Sequence, residues 1–173
     1  TVSARLGSNT PVSAQVRFAA DISTARLTVA ADSEETAAAN GTATRTVTAT
    51  LTDAGGNPLQ SQPVIFTVNG GPAFSGEASG TTDDNGTVTV TLTSIVAGTF
   101  TVSGVATDLS LSGSAEVAFM ADASTARLII ETSSDTKTAN GTDTHPVTLK
   151  VEDARGNPLT SVHNVTLSVP ADG

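Results

Sequence analysis

The chain has 173 residues, with 8 Lys and Arg against 17 Asp and Glu and a formal net charge of -9. That balance argues against nucleic acid, whose phosphates need clustered cations, and against an anionic membrane surface. Cys is absent, which excludes disulfides, thiolate metal sites and a Cys nucleophile, and a hydrophobic content of 38% excludes a typical disordered tail.

In chain order, the first residues, Thr1-Val2-Ser3-Ala4, already read as strand. No signal peptide and no apolar run long enough to span a membrane as a helix is present, and the start directly on strand-like sequence leads to the expectation of a fragment of something longer. Val47, Ala49 and Leu51 alternate with Thr46, Thr48, Thr50 and Thr52, which predicts a strand with one apolar and one solvated face. A short apolar run follows at Val64, Phe66 and Val68. Val88, Val90 and Leu92 alternate with Thr87, Thr89, Thr91 and Thr93, and Phe100 and Val102 alternate with Thr99, Thr101 and Ser103. Leu109, Leu111, Ala115, Val117 and Phe119 share one parity, with Ser110, Ser112, Ser114 and Glu116 on the other. Turn residues separate these runs: Asn40-Gly41, Gly55-Gly56-Asn57-Pro58, Asn69-Gly70-Gly71-Pro72 and Asp83-Asp84-Asn85-Gly86. No segment reads as a helix. Thr (30) and Ser (18) supply the solvated strand faces, because β-branched Thr suits a pleated surface.

The chain also matches itself at a spacing of 100 to 101 residues. Asp21-Ile22-Ser23-Thr24-Ala25-Arg26-Leu27 recurs as Asp122-Ala123-Ser124-Thr125-Ala126-Arg127-Leu128. Ala39-Asn40-Gly41-Thr42 recurs as Ala139-Asn140-Gly141-Thr142, and Asp53-Ala54-Gly55-Gly56-Asn57-Pro58-Leu59 as Asp153-Ala154-Arg155-Gly156-Asn157-Pro158-Leu159. Residues 1–21 are expected to close one repeat, 22–121 to form a complete repeat, and 122–173 to open a third. About seven short strands per ~100 residues, apolar inward and polar outward, predict an all-β fold of tandem Ig-like antiparallel β-sandwiches.

Each repeat resembles the bacterial Ig-like domain group 1 (Big-1) of the intimin/invasin adhesins, the inverse autotransporters. The residues that carry the resemblance are Asp53-Ala54-Gly55-Gly56-Asn57-Pro58-Leu59, Thr82-Asp83-Asp84-Asn85-Gly86 with the following 87–94 strand, and Ala97-Gly98-Thr99-Phe100-Thr101-Val102-Ser103. The resemblance implies an extracellular stalk, anchored in the bacterial outer membrane by a β-barrel and ending in a binding tip, neither of which is in this sequence. It also places Phe100 where the family commonly has Tyr, so a hydroxyl bond of the tyrosine-corner kind is lost. An absence of Cys suits a passenger that crosses an oxidising periplasm unfolded.

The residues offer little chemistry. His145 and His163 are the only histidines, and their counterparts in the complete repeat are Arg45 and Gln62, so neither reads as a catalytic base. Asp83, Asp84 and Asn85 are the candidate metal ligands, but they lack the downstream Glu of an EF-hand and read as a turn. Asp21 and Asp122 stand five residues before Arg26 and Arg127 at the repeat junctions, where they read as solvated linker charges in preference to a stiffening calcium site, and equally as a junction ion pair. No cofactor is implied beyond that calcium. The repeated Asn57-Pro58 and Asn157-Pro158 read as loop geometry. Four Asn-x-Ser/Thr sites, at Asn40, Asn85, Asn140 and Asn164, fall mostly in Asn-Gly turns that the fold explains unaided.

Two functions remain. The first is a stalk that projects a tip from the cell surface, its partners being neighbouring repeats, with a host receptor or other stalks engaged through regions outside this sequence. The second is a repeat that itself binds a host protein or glycan, or pairs with other stalks. Nucleic acid and membrane insertion are not expected of either.

Overall fold

A computed structural model of the chain describes residues 1–161 and 164–168. The alternating segments form strands as expected. The central unit holds β3 (Arg26–Ala31), β4 (Ala37–Ala38), β5 (Thr44–Thr52), β6 (Pro63–Val68), β7 (Pro72–Phe74), β8 (Ser79–Thr81), β9 (Thr87–Ser94), β10 (Gly98–Ala106) and β11 (Leu111–Met120). One sheet runs β3-β5-β9-β7 and the other β4-β11-β10-β6-β8. The pairings are antiparallel except for β4, which runs parallel to β11. Nine strands stand where about seven were expected, and β4, β7 and β8 are too short to show alternation in sequence. Three one-turn 3-10 segments, at Ile22–Thr24, Thr107–Leu109 and Ala123–Thr125, are the only helical turns among the described residues.

The core lies between the sheets. Val47, Ala49 and Leu51 of β5, Val90 and Leu92 of β9, Val64 and Phe66 of β6, Val102 of β10, and Val117 and Phe119 of β11 are all buried. Their Thr neighbours on β5 and β9 face outward, and the Thr48 and Thr89 hydroxyls meet across the strands at 2.9 Å. A core this poor in aromatics fills its space by bringing the sheets together. Gly104 of β10 and Gly113 of β11 pair directly, and a β-carbon at either would stand 3.1 Å from Val29 Cγ2 on the opposing sheet. The two glycines thus leave the room that Val29 occupies. Phe100 packs tilted against Phe119, with centroids 6.4 Å apart, over the Gly70-Gly71 turn.

Two hairpins flank this unit. β1 (Val2–Ala4) pairs with β2 (Val12–Ala14), matching Val2 to Ala14 as β10 and β11 match Val102 to Ala115. β12 (Arg127–Thr132) pairs with β13 (Val147–Glu152), matching Leu128 to Val151 as β3 and β5 match Leu27 to Leu51. The registers therefore repeat along with the sequence. Their surroundings do not: Phe18 is 95% exposed, whereas its counterpart Phe119 is 3% exposed, because no second sheet covers the β1–β2 hairpin among the described residues.

Candidate functional site at the repeat junction

The two strongest repeated motifs meet in space. The 53–59 loop leaves β5 and folds back on it, with Asp53 N–H donating to the Asn57 carbonyl (2.9 Å) and Leu59 N–H to the Leu51 carbonyl (3.0 Å). At its centre the Asp53 carboxylate accepts four hydrogen bonds. Oδ1 takes the backbone N–H of Gly55 (2.8 Å) and Asn57 (2.9 Å), and Oδ2 takes Asn57 Nδ2 (2.9 Å) and the Asp21 backbone N–H (3.0 Å). The last of these ties the chain entering the unit to the loop. Asp21 in turn caps the 3-10 turn at Ile22–Thr24 by accepting from Ser23 N (3.0 Å) and Ser23 Oγ (2.6 Å), and Thr24 Oγ1 accepts from Ala54 N–H (3.2 Å).

The arrangement is rebuilt one repeat later. Asp153 accepts from the backbone N–H of Arg155 (2.8 Å), Asn157 (2.9 Å) and Asp122 (3.1 Å), and from Asn157 Nδ2 (2.8 Å). Asp122 caps its own turn through Ser124, and Thr125 Oγ1 accepts from Ala154 N–H. Asp153 is fully buried, with both carboxylate oxygens satisfied.

Both carboxyls sit at about 2, below the ordinary 3.8. At Asp53 the Asn57 side-chain amide is the main cause, followed by the backbone bonds from Asp21 and Asn57. At Asp153 burial pushes the carboxyl up, and the bonds from Asn157, Asp122 and Arg155 outweigh it. A carboxylate held below its unfolded value contributes all of its stabilisation above that value and loses it as the pH falls from 3.8 through about 2. The urea midpoint of the chain is expected to fall over that interval, and Asp53→Asn with Asp153→Asn to flatten the fall. A double variant that keeps the wild-type slope would exclude these carboxylates as its source.

The second junction also shows what the loop grips. Asn157 Oδ1 accepts from Ala97 N–H (2.9 Å) and Nδ2 donates to the Ile95 carbonyl (3.0 Å), so one amide pairs both ways with the loop between β9 and β10. Arg155 Nη2 donates to the Asn40 carbonyl (2.9 Å) in the neighbouring Asn-Gly turn. That turn is preformed, because Asn40 Oδ1 accepts from Thr42 N–H (2.9 Å) and Ala43 N–H (2.8 Å), and Gly41 N–H donates to the Ser94 carbonyl (2.9 Å). Engagement buries Asn157 to 7% exposure, while Asn57, in the same loop with no such loop against it, is exposed.

Asp21, Asn57 and Pro58 therefore lie together at one junction, and Asp122, Asn157 and Pro158 at the other. The two arginines do not join them. Among the described residues Asp21 forms no ion pair with Arg26, nor Asp122 with Arg127; Arg127 instead reaches Glu152 Oε1 at 2.6 Å, directly across the β12–β13 pair. The short Asp side chain is already committed to the N–H two residues on. Asp83 is likewise committed: Oδ1 accepts from Asn85 N–H, Thr87 N–H and Thr87 Oγ1, the Thr87 backbone bond doing most to lower its carboxyl. Among the described residues no three His, Cys, Asp or Glu side chains come close enough to hold a metal ion. His145 Nε2 lies 2.9 Å from the Asp135 carbonyl oxygen, in the place where Arg45 contacts the corresponding loop, and His163 lies outside the described residues. Asp53, Asp153, Arg155 and the receiving carbonyls were not singled out from sequence, although recurrence of the whole Asp-x-x-Gly-Asn-Pro motif carried the signal.

Comparison with known proteins follows the same lines. The model of the bacterial Ig-like domain (group 1) matches residues 26–120. The chain is 32% identical over 175 residues to the inverse autotransporter adhesin YeeJ of Escherichia coli (strain K12), an alignment that covers 99% of this chain and 7% of that protein. Among solved structures, the D0-D1 domain of intimin is 35% identical with a TM-score of 0.50, covering 57% of this chain and 50% of that one. Invasin, a bacterial integrin-binding protein, is 28% identical with a TM-score of 0.50, covering 76% of this chain and 27% of that one. The β-sandwich, its repeated registers and the match over 26–120 agree, and the chain belongs to the bacterial Ig-like domain (group 1) family.

Proposed function

We propose that the chain is a spacer from the stalk of a bacterial surface adhesin. In this reading residues 1–21 end one Ig-like repeat, 22–121 form the next and 122–173 begin a third, with the open hairpins at both ends completed by the rest of those repeats. The stalk stands outside the cell, tied to the outer membrane through a separate region, and holds a separate receptor-binding tip away from the surface. Its role is mechanical and involves no turnover.

The observation that supports this best is the Asn157 amide, which joins the start of one repeat to the Ile95–Ala97 loop of another through two backbone hydrogen bonds. An end-to-end contact of this kind, repeated along one chain, builds an extended array in which each repeat touches only its neighbours. The solvated faces support the same reading, being Thr and Ser with no cluster of Trp, Tyr or Arg of the kind that anchors binding interfaces. The test is binding of the chain itself: at micromolar concentration it is expected to show no saturable attachment to cultured host cells. Saturable attachment would show that the repeat binds a receptor directly.

A further inference from the structure

The two loops that hold the junctions differ at one informative position. Both carry the same carboxylate, the same Asn and the same turn, yet the residue two before the Asn is Gly55 in the first and Arg155 in the second. The backbone is unaffected, since Gly55 N–H and Arg155 N–H each donate to the Asp Oδ1 at 2.8 Å. What changes is the reach across the junction. Arg155 Nη2 extends to the Asn40 carbonyl, in a different turn from the Ile95–Ala97 loop that Asn157 holds. A glycine has nothing to extend.

We propose that this position sets the stiffness of each joint in the stalk: arginine locks the joint and glycine leaves it a hinge. The proposal rests on the spacer reading and deepens it. A joint turns less freely the more separate points hold it. At the second junction those points are the linker, held by the Asp122–Asp153 bond, the Asn157 pair on the Ile95–Ala97 loop, and the Arg155 bond on the Asn40 turn. With glycine in place of Arg155 the bond to the Asn40 turn is lost, and only the linker and the Asn157 contacts resist rotation of the joint. Small interfaces between units in one chain leave such motion as the default. The partner that Arg155 reads is another repeat that presents an Asn-Gly turn with its Asn carbonyl outward. That carbonyl is available because the Asn40 side chain, rather than its backbone oxygen, closes the turn. The arginine needs no carboxylate partner, so the lock is expected to tolerate salt better than a surface ion pair.

The chain has no cysteine, so Thr101→Cys and Thr148→Cys, both at exposed strand positions on either side of the junction, can carry spin labels alone. Pulsed dipolar spectroscopy on the whole chain is expected to give a narrow distance distribution that Arg155→Gly at least doubles in width and Arg155→Lys restores in part. Arg155→Gly recreates a loop that already closes at Gly55, so the fold is expected to survive. Amide exchange on β12 and β13, the strands that carry the mutated loop and the Thr148 label, checks this, and Arg155→Ala, which keeps the β-carbon, provides a second variant. Protected β12 and β13 amides with a broadened distribution support the lock. A width unchanged in both Arg155→Gly and Arg155→Ala overturns it, while leaving the spacer reading to be decided by the cell-binding result.

Discussion

Arg45→Ala is expected to destabilise the central sandwich by about 3 kcal/mol, measured as a drop in the urea midpoint at unchanged slope. Arg45 stands in β5, where its neighbours Val47, Ala49 and Leu51 are apolar, and it is 2% exposed. It persists there because each of its three guanidinium nitrogens has a partner. Nε and Nη2 bind Asp32 Oδ1 at 2.8 and 2.7 Å, and Nη1 donates to the Glu35 carbonyl (2.9 Å) and the Ala118 carbonyl (3.2 Å). The side chain thereby ties the loop after β3 and the end of β11 to β5, joining the two sheets. Truncation strands two carbonyls and leaves Asp32 without its cation, although Asp32 is partly exposed and recovers some hydration. Arg45→His is expected to cost less, since His145 in the corresponding place already reaches the Asp135 carbonyl. A midpoint unmoved by Arg45→Ala would mean that the buried cation contributes nothing net.

The second large effect is expected at Gly86, which closes the 83–86 turn with φ +72. A β-carbon there would stand 2.4 Å from the Leu51 carbonyl oxygen and 3.1 Å from Pro58 Cβ. The same glycine accepts from Leu51 N–H through its own carbonyl at 2.8 Å, so it cannot move aside without breaking β5 from the turn. Gly86→Ala combines left-handed strain with a backbone clash and is expected to cost about 3 kcal/mol or more. Because Pro58 belongs to the junction loop, exchange of the Asn57 amide is expected to rise as well. A Gly86→Ala protein with wild-type stability would show that the turn has slack that the geometry denies. The 83–86 run thus works as a scaffold beneath the junction loop.

Some of this was legible from sequence and some was not, for physical reasons. Strands such as β5 and β9 declare themselves because one face is buried and the other wet, so Val47 and Thr48 must differ. β4 does not: two alanines at a parallel edge carry no alternation, and their pairing with Phe119 and Met120 is set by the fold around them. The junction was half legible. Recurrence of the Asp-x-Ser-Thr and Asp-x-x-Gly-Asn-Pro motifs marked both halves of the clasp, but nothing in linear order says that the N–H of Asp21 will dock on the Asp53 carboxylate. Charge spacing suggested Asp-to-Arg pairs, whereas strand register decides the outcome. Arg127 faces Glu152 across the sheet and pairs with it; Arg26 faces Thr52, which offers no charge. The asymmetry between Gly55 and Arg155 was visible as a letter change and gained meaning only when the Asn40 carbonyl came within reach.

The second junction is expected to hold the central sandwich and the β12–β13 hairpin in a fixed orientation through the contacts of Asp153, Asn157 and Arg155. Residual dipolar couplings of the whole chain in a weakly aligned medium test it most directly. One alignment tensor is expected to fit the amides of the central sandwich and of the β12–β13 hairpin together, with Asn157→Ala separating them. Two tensors of different magnitude in the unmodified chain would show units that tumble independently, and a rigid stalk could not be built from them.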